Sequence, residues 1–435
     1  MTHVKKTDLK NFALLYFGQT ISQLGSSMTG FATVIWAYKE YGQVMASSLL
    51  ALCSMIPYII LSILGGDVVD RADKKKVMLV CDTIAAIGSL LIMICFFSGC
   101  LKLWILCIVN IVNGFMNAFQ APASQVAVSL LIDKKDYAHI GGLQSSVGAV
   151  TGIITPIMSA ALLSFGGLGL VVSIDLTTFI IAFLSLALFV NIPDTVIKES
   201  KNYFKELLKS INEGISFMKH ERGILLMLVL YSVLEFMGAV SFDSMYSPLL
   251  LARTNNNEMV VGIVSSFMAA GCLAASILIT VLKPPKKKIP VMCAGSIMCL
   301  LGIMLFGIGR NIYWWCGVVF FGCFGAPIYQ TYQTVILRER VPVDMQGRIF
   351  SIQGMITQLM APAGYLSGAV LADYLLEPFM EKTGNMQSIC SLIVGSGKGS
   401  GIGLIFVAAG FAGIIILMVL YHNRAVRQLD GVCNV

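Results

Sequence analysis

Apolar runs of about twenty residues alternate with short polar segments along nearly the whole chain, and there are twelve such runs. A helix crossing ~30 Å of hydrocarbon needs about 20 residues at 1.5 Å each, so each run predicts one transmembrane helix. The predicted spans are 12–37, 45–66, 77–98, 103–125, 140–165, 167–190, 223–248, 260–282, 289–309, 312–337, 349–373 and 401–421. In the last, Leu404 to Leu420 carries no charge at all. The others hold scattered Gly, Pro, Ser and Asn, which membrane helices tolerate because neighbouring helices satisfy the freed backbone groups. Twelve spans consume almost all of the 435 residues, leaving no room for a separate soluble domain.

Composition agrees. Hydrophobic residues make up 57% and charged residues 12% of the chain, where a soluble domain carries roughly 25% charged. The net charge of +7 does not point to nucleic acid, because the bases sit in short clusters between apolar runs, as topology signals do. With the N-terminus inside, outer loops hold only Lys39, Lys102, Arg253, Arg310, Lys382 and Lys398; the other 24 of the 30 Lys and Arg lie on inner segments. That excess places both termini in the cytoplasm. Residues Met1 to Lys10 then lead into the first span and are not a cleaved leader. The 12 Cys show no Cys-x-x-Cys spacing and lie mostly in apolar runs, so they read as packing residues with no disulfide, zinc or cofactor role.

Two connections are long. Asn191 to Arg222 joins the halves, and Phe204, Leu207, Leu208, Ile211, Ile215 and Met218 fall on one helical face of it. With Lys201, Lys205 and Lys209 elsewhere, this predicts an amphipathic helix on the inner leaflet of the lipid bilayer. Leu376 to Ser400, with its Gly and Ser, is expected to be partly ordered at best. The chain also repeats itself. Ala121-Pro122-Ala123-Ser124-Gln125 recurs as Ala326-Pro327-Ile328-Tyr329-Gln330; at the same shift Gly142 matches Gly347, and one residue further Pro156 matches Pro362. The expected organisation is a six-helix bundle over 1–190, a linker over 191–222 and a second six-helix bundle over 223–435, related by an axis along the membrane normal.

Three motifs carry a resemblance. After the second span comes Gly66-Asp67-Val68-Val69-Asp70-Arg71-Ala72-Asp73-Lys74-Lys75-Lys76. It resembles the G-x-x-x-D-R-x-G-[RK]-[RK] signature of the major facilitator superfamily, with Asp73 in place of the second Gly. The resemblance implies the major facilitator fold, and a gating loop at Gly66, Asp70, Arg71, Lys74 and Lys75; a basic loop serving topology alone is the other reading. In the fourth span Asn110 stands where that family often has an Arg linked to proton transfer, so that role does not carry over. Asn110, Asn113 and Asn117 share one face, and either line a cavity or bond helix to helix. The fifth span holds Gly142, Gly148, Thr151, Gly152, Thr155, Pro156, Ser159 and Ala160, similar to the exporters' small-residue signature. Together with Gln19, Ser22 and Gly25, the full-length pattern is most similar to the macrolide-efflux-like branch.

Within the predicted spans there is no Lys or Arg, and the acids are Asp82, Asp175, Glu235, Asp243 and Asp373. Each costs about 2.5–3.5 kcal/mol at a helix centre on insertion scales. Asp82, near an inner end, is expected to pair with the basic loop; Asp243 and Asp373 read as interfacial. Glu235 lies near the midplane of the seventh span. Either it binds a coupling proton and a cationic substrate group in alternation, or it is a permanently protonated Glu bonded within the bundle. Acids without bases favour a neutral or cationic amphiphile as the small-molecule substrate. The resemblance implies export by alternating access, driven by protons, in a monomer. An exporter of an endogenous metabolite such as a siderophore, or a transport-inactive sensor, is the alternative. An enzyme is not expected: His3, His139, His220 and His422 all lie in tails or inner loops, and no nucleotide-binding loop occurs.

Overall fold

A computed structural model of the chain describes residues 9–133, 137–192, 216–217, 221–283, 285–382 and 384–430. The gating-loop side chains over 63–71 and most of the 191–222 linker, including its expected amphipathic helix, lie outside the described residues. All regular structure among the described residues is helical. The long helices are α1 (Leu9–Tyr41), α2 (Val44–Arg71), α3 (Lys74–Phe97), α4 (Leu103–Leu131) and α5 (Tyr137–Leu184, continued by a π segment Ser185–Phe189). The later part of the chain forms α6 (Arg222–Gly238), a π segment Ala239–Asp243, α7 (Ser244–Arg253), α8 (Glu258–Val281), α9 (Lys288–Ile308) and α10 (Ile312–Arg340). Then come α11 (Val343–Val370), a π segment Leu371–Leu376, α12 (Glu377–Glu381), α13 (Asn385–Val394), α14 (Ser400–His422) and α15 (Arg424–Arg427).

Ten stretches of described residues are long and apolar enough to cross a membrane. α1 is not among them, since Gln19, Thr20, Ser22, Gln23, Ser26 and Ser27 interrupt its apolar run. One of the ten, Val150–Phe189, contains Gly167, whose backbone (φ 66, ψ −170) is not helical. That positive φ suits glycine, which has no Cβ to clash. Contacts with α1 show that the chain reverses there. The Tyr16 hydroxyl donates to the Gln144 carbonyl and Ser159 to that of Met28, so the first arm of α5 rises with α1. Ser26 then donates to Asp175 and Ser185 to the Leu14 carbonyl, so the second arm descends. α5 is a helical hairpin with α1 along both arms.

The chain divides into two compact units, one of Met1–Gly42 with Ala46–Lys201, the other of Gln43–Met45 with Asn202–Val435. In the first, α4 approaches α2 so closely that a Cβ on Gly114 would collide with the Ser54 carbonyl. In the second, α8 and α10 repeat the arrangement with the small residue on the other partner: a Cβ on Gly271 would lie 2.5 Å from the Phe320 carbonyl oxygen. α9 crosses α10 glycine to glycine, with a Cβ on Gly302 only 2.5 Å from Gly322 Cα. Without a hydrophobic drive between helices in lipid, such backbone-to-backbone packing supplies the contact. Outward faces carry large exposed apolar side chains such as Ile87, Phe97, Leu188, Val281 and Val419, which suit a lipid environment.

The segment after α11, expected to be loosely ordered, is built: α12 and α13 fill it. The cause is Arg253 at the end of α7. Its guanidinium donates to the carbonyls of Gly307 (2.9 Å), in the last turn of α9, and Gly309 (2.6 Å), just past it, and to Val394 (3.0 Å), at the end of α13, and Gly399 (3.3 Å). A five-donor cation matches carbonyls left open at helix C-termini. Glu377 completes the corner by accepting from the Ile402 amide in the first turn of α14 at 3.1 Å. Among the described residues the eleven cysteines are all free thiols.

Candidate functional site

Glu235 sits one turn before the π segment of α6, half-buried. The Tyr329 hydroxyl of α10 donates to its Oε1 at 2.9 Å, and Gln330 Nε2 donates to the same hydroxyl at 3.4 Å. Tyr329 and Gln330 both belong to the repeated Ala-Pro-x-x-Gln motif, so the repeat delivers the carboxyl's partner. One turn back along α6, Tyr231 shares a 2.7 Å hydrogen bond with Thr357 of α11, and its ring lies 6.5 Å from that of Tyr329. α11 is held against this region by Gly364 and Gly368. Cβ atoms there would lie 2.8 Å from Val240 N and 2.7 Å from Val240 O of the π segment. A π turn frees carbonyls and widens the helix, and here the glycines of α11 fill the widened side. Among the described residues no Lys or Arg is paired with Glu235.

A cavity of about 310 Å³ opens between α6, α10 and α11 and reaches Tyr231, one helical turn from Glu235, which does not itself line it. Tyr231, Thr334, Arg338, Phe350, Gln353 and Thr357 line it. Its size is that of a small ligand pocket, and its wall mixes aromatic faces with hydroxyl and amide groups, as such pockets do.

The first unit holds two more carboxyls, each at a rung between α1 and α3. At one, Gln19 Nε2 donates to Asp82 Oδ2 at 2.9 Å, Gln120 Nε2 donates to Asp82 Oδ1, and Gln120 Nε2 also reaches Gln19 Oε1 at 3.2 Å. Seven residues further along both helices, Ser26 and Ser89 donate to the two oxygens of Asp175 at 3.0 and 2.7 Å. Seven residues make two turns, about 10.5 Å. Asp82 and Asp175 are 7% and 3% exposed, and only neutral donors hold them, which satisfies the oxygens without a second buried charge.

This corrects the expectation for Asp82, which binds side-chain amides and not the basic loop. Among the described residues of the loop, Asp73 and Lys75 have partners of their own. Asp73, in the place of the signature glycine, caps α3 by accepting from the Lys75 and Lys76 amides at 2.9 and 3.3 Å. Lys75 Nζ donates to the Ala187 and Val190 carbonyls at 3.0 and 2.7 Å, a cation at the end of the α5 hairpin. Lys74 is buried. Gly66, Asp70 and Arg71 lie in the last turns of α2.

The asparagine stripe does not converge on Gln19. Asn110 Nδ2 bonds the Leu106 carbonyl of its own helix at 2.8 Å, Asn113 Oδ1 is buried without a partner, and Asn117 is exposed. The residue that reaches Gln19 is Gln120, which sequence reasoning passed over although it continues the 110–113–117 spacing. Of the exporter-type residues, Gly142 opens α5, Thr151 is half-buried, Pro156 lies inside the helix, and the buried Thr155 hydroxyl has no partner. Tyr231, Thr357 and Arg338 were likewise missed.

Membrane-crossing helices in two units, with interior carboxyls held by neutral donors and a cavity one helical turn from one of them, fit a multi-span secondary transporter of small molecules. The chain belongs to the Major Facilitator Superfamily, whose family model matches residues 15–365. It shares two pseudo-symmetric helix bundles and an alternating-access fold with that family. It is 26% identical to "Macrolide efflux protein A" of Streptococcus pyogenes over 368 residues, 83% of this chain and 89% of that protein. It is 23% identical to "Uncharacterized MFS-type transporter YkuC" of Bacillus subtilis, over 70% of this chain and 72% of that protein. Among solved structures, an auto-inhibited POT family peptide transporter matches with a TM-score of 0.68 and 11% identity, covering 95% of this chain and 97% of that one. A bacterial homologue of the iron transporter ferroportin in an inward-facing state matches at 0.65 and 14%, covering 96% and 100%. These two likenesses concern the fold alone.

Proposed function

We propose that the protein exports a hydrophobic or amphiphilic, macrolide-like compound across the cell membrane by alternating access, in exchange for protons. The observation that carries this reading is Glu235. It is a carboxyl inside the helix bundle that accepts from a tyrosine hydroxyl at 2.9 Å, one helical turn from Tyr231 in the wall of a cavity. Such a group exchanges a proton for a cationic group without leaving a charge unpaired in lipid. The relative named for macrolide efflux, and the small-residue face of α5 around Thr155 and Pro156, favour export of this class. Twelve spans follow if α1 is added to the ten apolar stretches and the α5 hairpin is divided at Gly167. The 24-to-6 split of basic residues supports cytoplasmic termini. Asp70 and Arg71 serve as gating residues in this reading, and the working unit is a monomer.

The test is uptake of a labelled macrolide into everted vesicles under an imposed proton gradient, with and without a protonophore. Glu235→Gln is expected to abolish gradient-driven uptake while leaving protein levels unchanged. Full proton-driven uptake by Glu235→Gln, with an unshifted pH profile, would sink the coupling role.

A further inference from the structure

The expectation of a cavity without bases arose from a predicted tenth span ending at residue 337. α10 continues to Arg340, and the extra turn puts Arg338 in the wall of the cavity that reaches Tyr231. The charges next to it in sequence are committed. Lys288 Nζ lies 2.5 and 2.6 Å from the two oxygens of Glu339, and Arg340 donates to the Leu429 carbonyl at 3.0 and 2.7 Å. The Arg338 guanidinium instead stands 6.0 Å from the centroid of the Phe350 ring. Among the described residues no carboxylate or carbonyl engages it. A guanidinium supported by an aromatic face keeps its planar fork of five donors for an acceptor.

Arg338 and Tyr329, the donor to Glu235, are nine residues apart on α10, about 13 Å along the axis. Tyr231 of α6 lies between these levels, with Gln353 of α11 on the same cavity wall. One side of the cavity thus ends in a fixed cation and the other at Tyr231, one helical turn from the Glu235 carboxyl.

We propose that Arg338 forms an oxygen-acceptor subsite: it binds a carboxylate, sulfonate or phosphate-type group of an amphiphile whose apolar body lies along Phe350 and Tyr231. This deepens the transport reading and rests on it for the ligand being cargo. The cargo is then dipolar, with an acceptor end at Arg338 and an amine end toward Glu235, and not simply neutral or cationic. A lipid headgroup phosphate offers the same chemistry as a soluble acceptor, and the test separates the two.

The full chain carrying Thr334→Cys is placed in phosphatidylcholine nanodiscs and treated with an anionic (sulfonatoethyl) or a cationic (trimethylammonioethyl) methanethiosulfonate. Rates are taken relative to those with a free thiol in solution and corrected for the parent chain. The anionic reagent is expected to be favoured by roughly five- to tenfold, as a unit charge a few ångström away in a partly wet site dictates. Arg338→Gln should erase the preference and Arg338→Lys should keep it. An equal ratio with Arg338 and with Gln at 338 overturns the subsite. Should Thr334→Cys fail to fold, Gly354→Cys replaces it, since a Cβ there meets nothing within 4 Å.

Adding phosphatidylglycerol decides the source of the acceptor. Anionic labelling slowed more with Arg338 than with Gln at 338, a comparison that removes the general surface-potential effect, means that a headgroup takes the subsite and overturns its assignment to cargo; equal slowing in both supports that assignment. The assay needs no transport, so loss of the charge preference refutes the subsite while leaving Glu235 untouched. A Glu235→Gln chain that still transports refutes the coupling role without altering the labelling ratio.

Discussion

The contact between α11 and the π segment of α6 makes a sharp demand on one atom. Replacing Gly364 by alanine adds a single methyl, which would lie 2.8 Å from Val240 N and closer still to Ala239 Cβ. Ordinary contacts between such atoms are about 3.5–4.0 Å. Both neighbours belong to backbone or to its first carbon, so no rotamer change relieves the clash, and α11 must withdraw by about 1 Å. Thr357 is two turns away on the same face of α11. The same withdrawal stretches its 2.7 Å bond to Tyr231 to about 3.7 Å, beyond hydrogen-bond range. Overpacking of this kind costs about 1–3 kcal/mol. For a unit the size of the second one, each kcal/mol is worth roughly 2–4 °C. The expected result is an apparent Tm lower by about 2–12 °C in detergent or nanodiscs, with slower transport at equal expression. The control is Gly317→Ala in α10, where a Cβ meets nothing within 4 Å and a small gain in helix stability is expected. If Gly364→Ala melts and transports like Gly317→Ala, the packing argument for how Glu235 is positioned is wrong.

Tyr329→Phe removes the hydroxyl that donates to Glu235 Oε1 at 2.9 Å with almost no change of shape. A hydrogen bond to a charged group is worth about 1.5–3 kcal/mol, so proteoliposome kcat/KM should fall by up to roughly 10- to 100-fold, with a modest drop in melting temperature; a wild-type kcat/KM would remove Tyr329 from the site. Gln120→Leu strips one donor from Asp82, and leaving a buried acceptor short costs about 1–3 kcal/mol. In a double-mutant cycle that loss should largely vanish in an Asp82→Leu background, and additive losses would show that the two residues do not communicate. Arg253→Gln leaves four carbonyls without their shared donor, so limited proteolysis should cut between α12 and α14 at least tenfold faster; an unchanged cleavage pattern would mean that α13 orders itself.

Much of the fold was written in the hydropathy, because a membrane helix announces itself by length and lack of charge. The exceptions have definite causes. α1 reads as a span only if its polar face is allowed for, since Gln19, Ser22 and Ser26 turn toward α3, α4 and α5 and away from lipid. From hydropathy the tenth span ends at residue 337, three residues short of the helix, because Arg338 and Arg340 carry charge as loop residues do. The helix continues until Val341, where the following Pro342 disfavours helical backbone. The ordering of residues 376–400 depends on Arg253, more than 120 positions upstream, and no local signal carries a contact of that range. The site was half visible. Glu235 stood out as an acid at mid-span and Gln19 as an amide in an apolar run. Their partners did not, because a sequence shows which residues share a face but not which helix that face meets. Asp82 illustrates the loss: nearness to a basic loop suggested one partner, and two glutamines on other helices proved to be the actual ones.

The α5 hairpin leaves a mark on the order in which the molecule is made. α1 is the long helix too polar to count among the ten apolar stretches, and the groups that satisfy its polar face arrive late. Asp175, the acceptor for Ser26, follows it by 149 residues. At about 5–20 residues per second of synthesis, that is a wait of roughly 7–30 s. During it, the Ser26 hydroxyl of α1 faces the bilayer or an insertion factor instead of its final partner. Biogenesis of this chain should therefore be limited by the holding of α1, and an inserted delay before residue 137 should lower the yield of folded protein more than the same delay placed after residue 190.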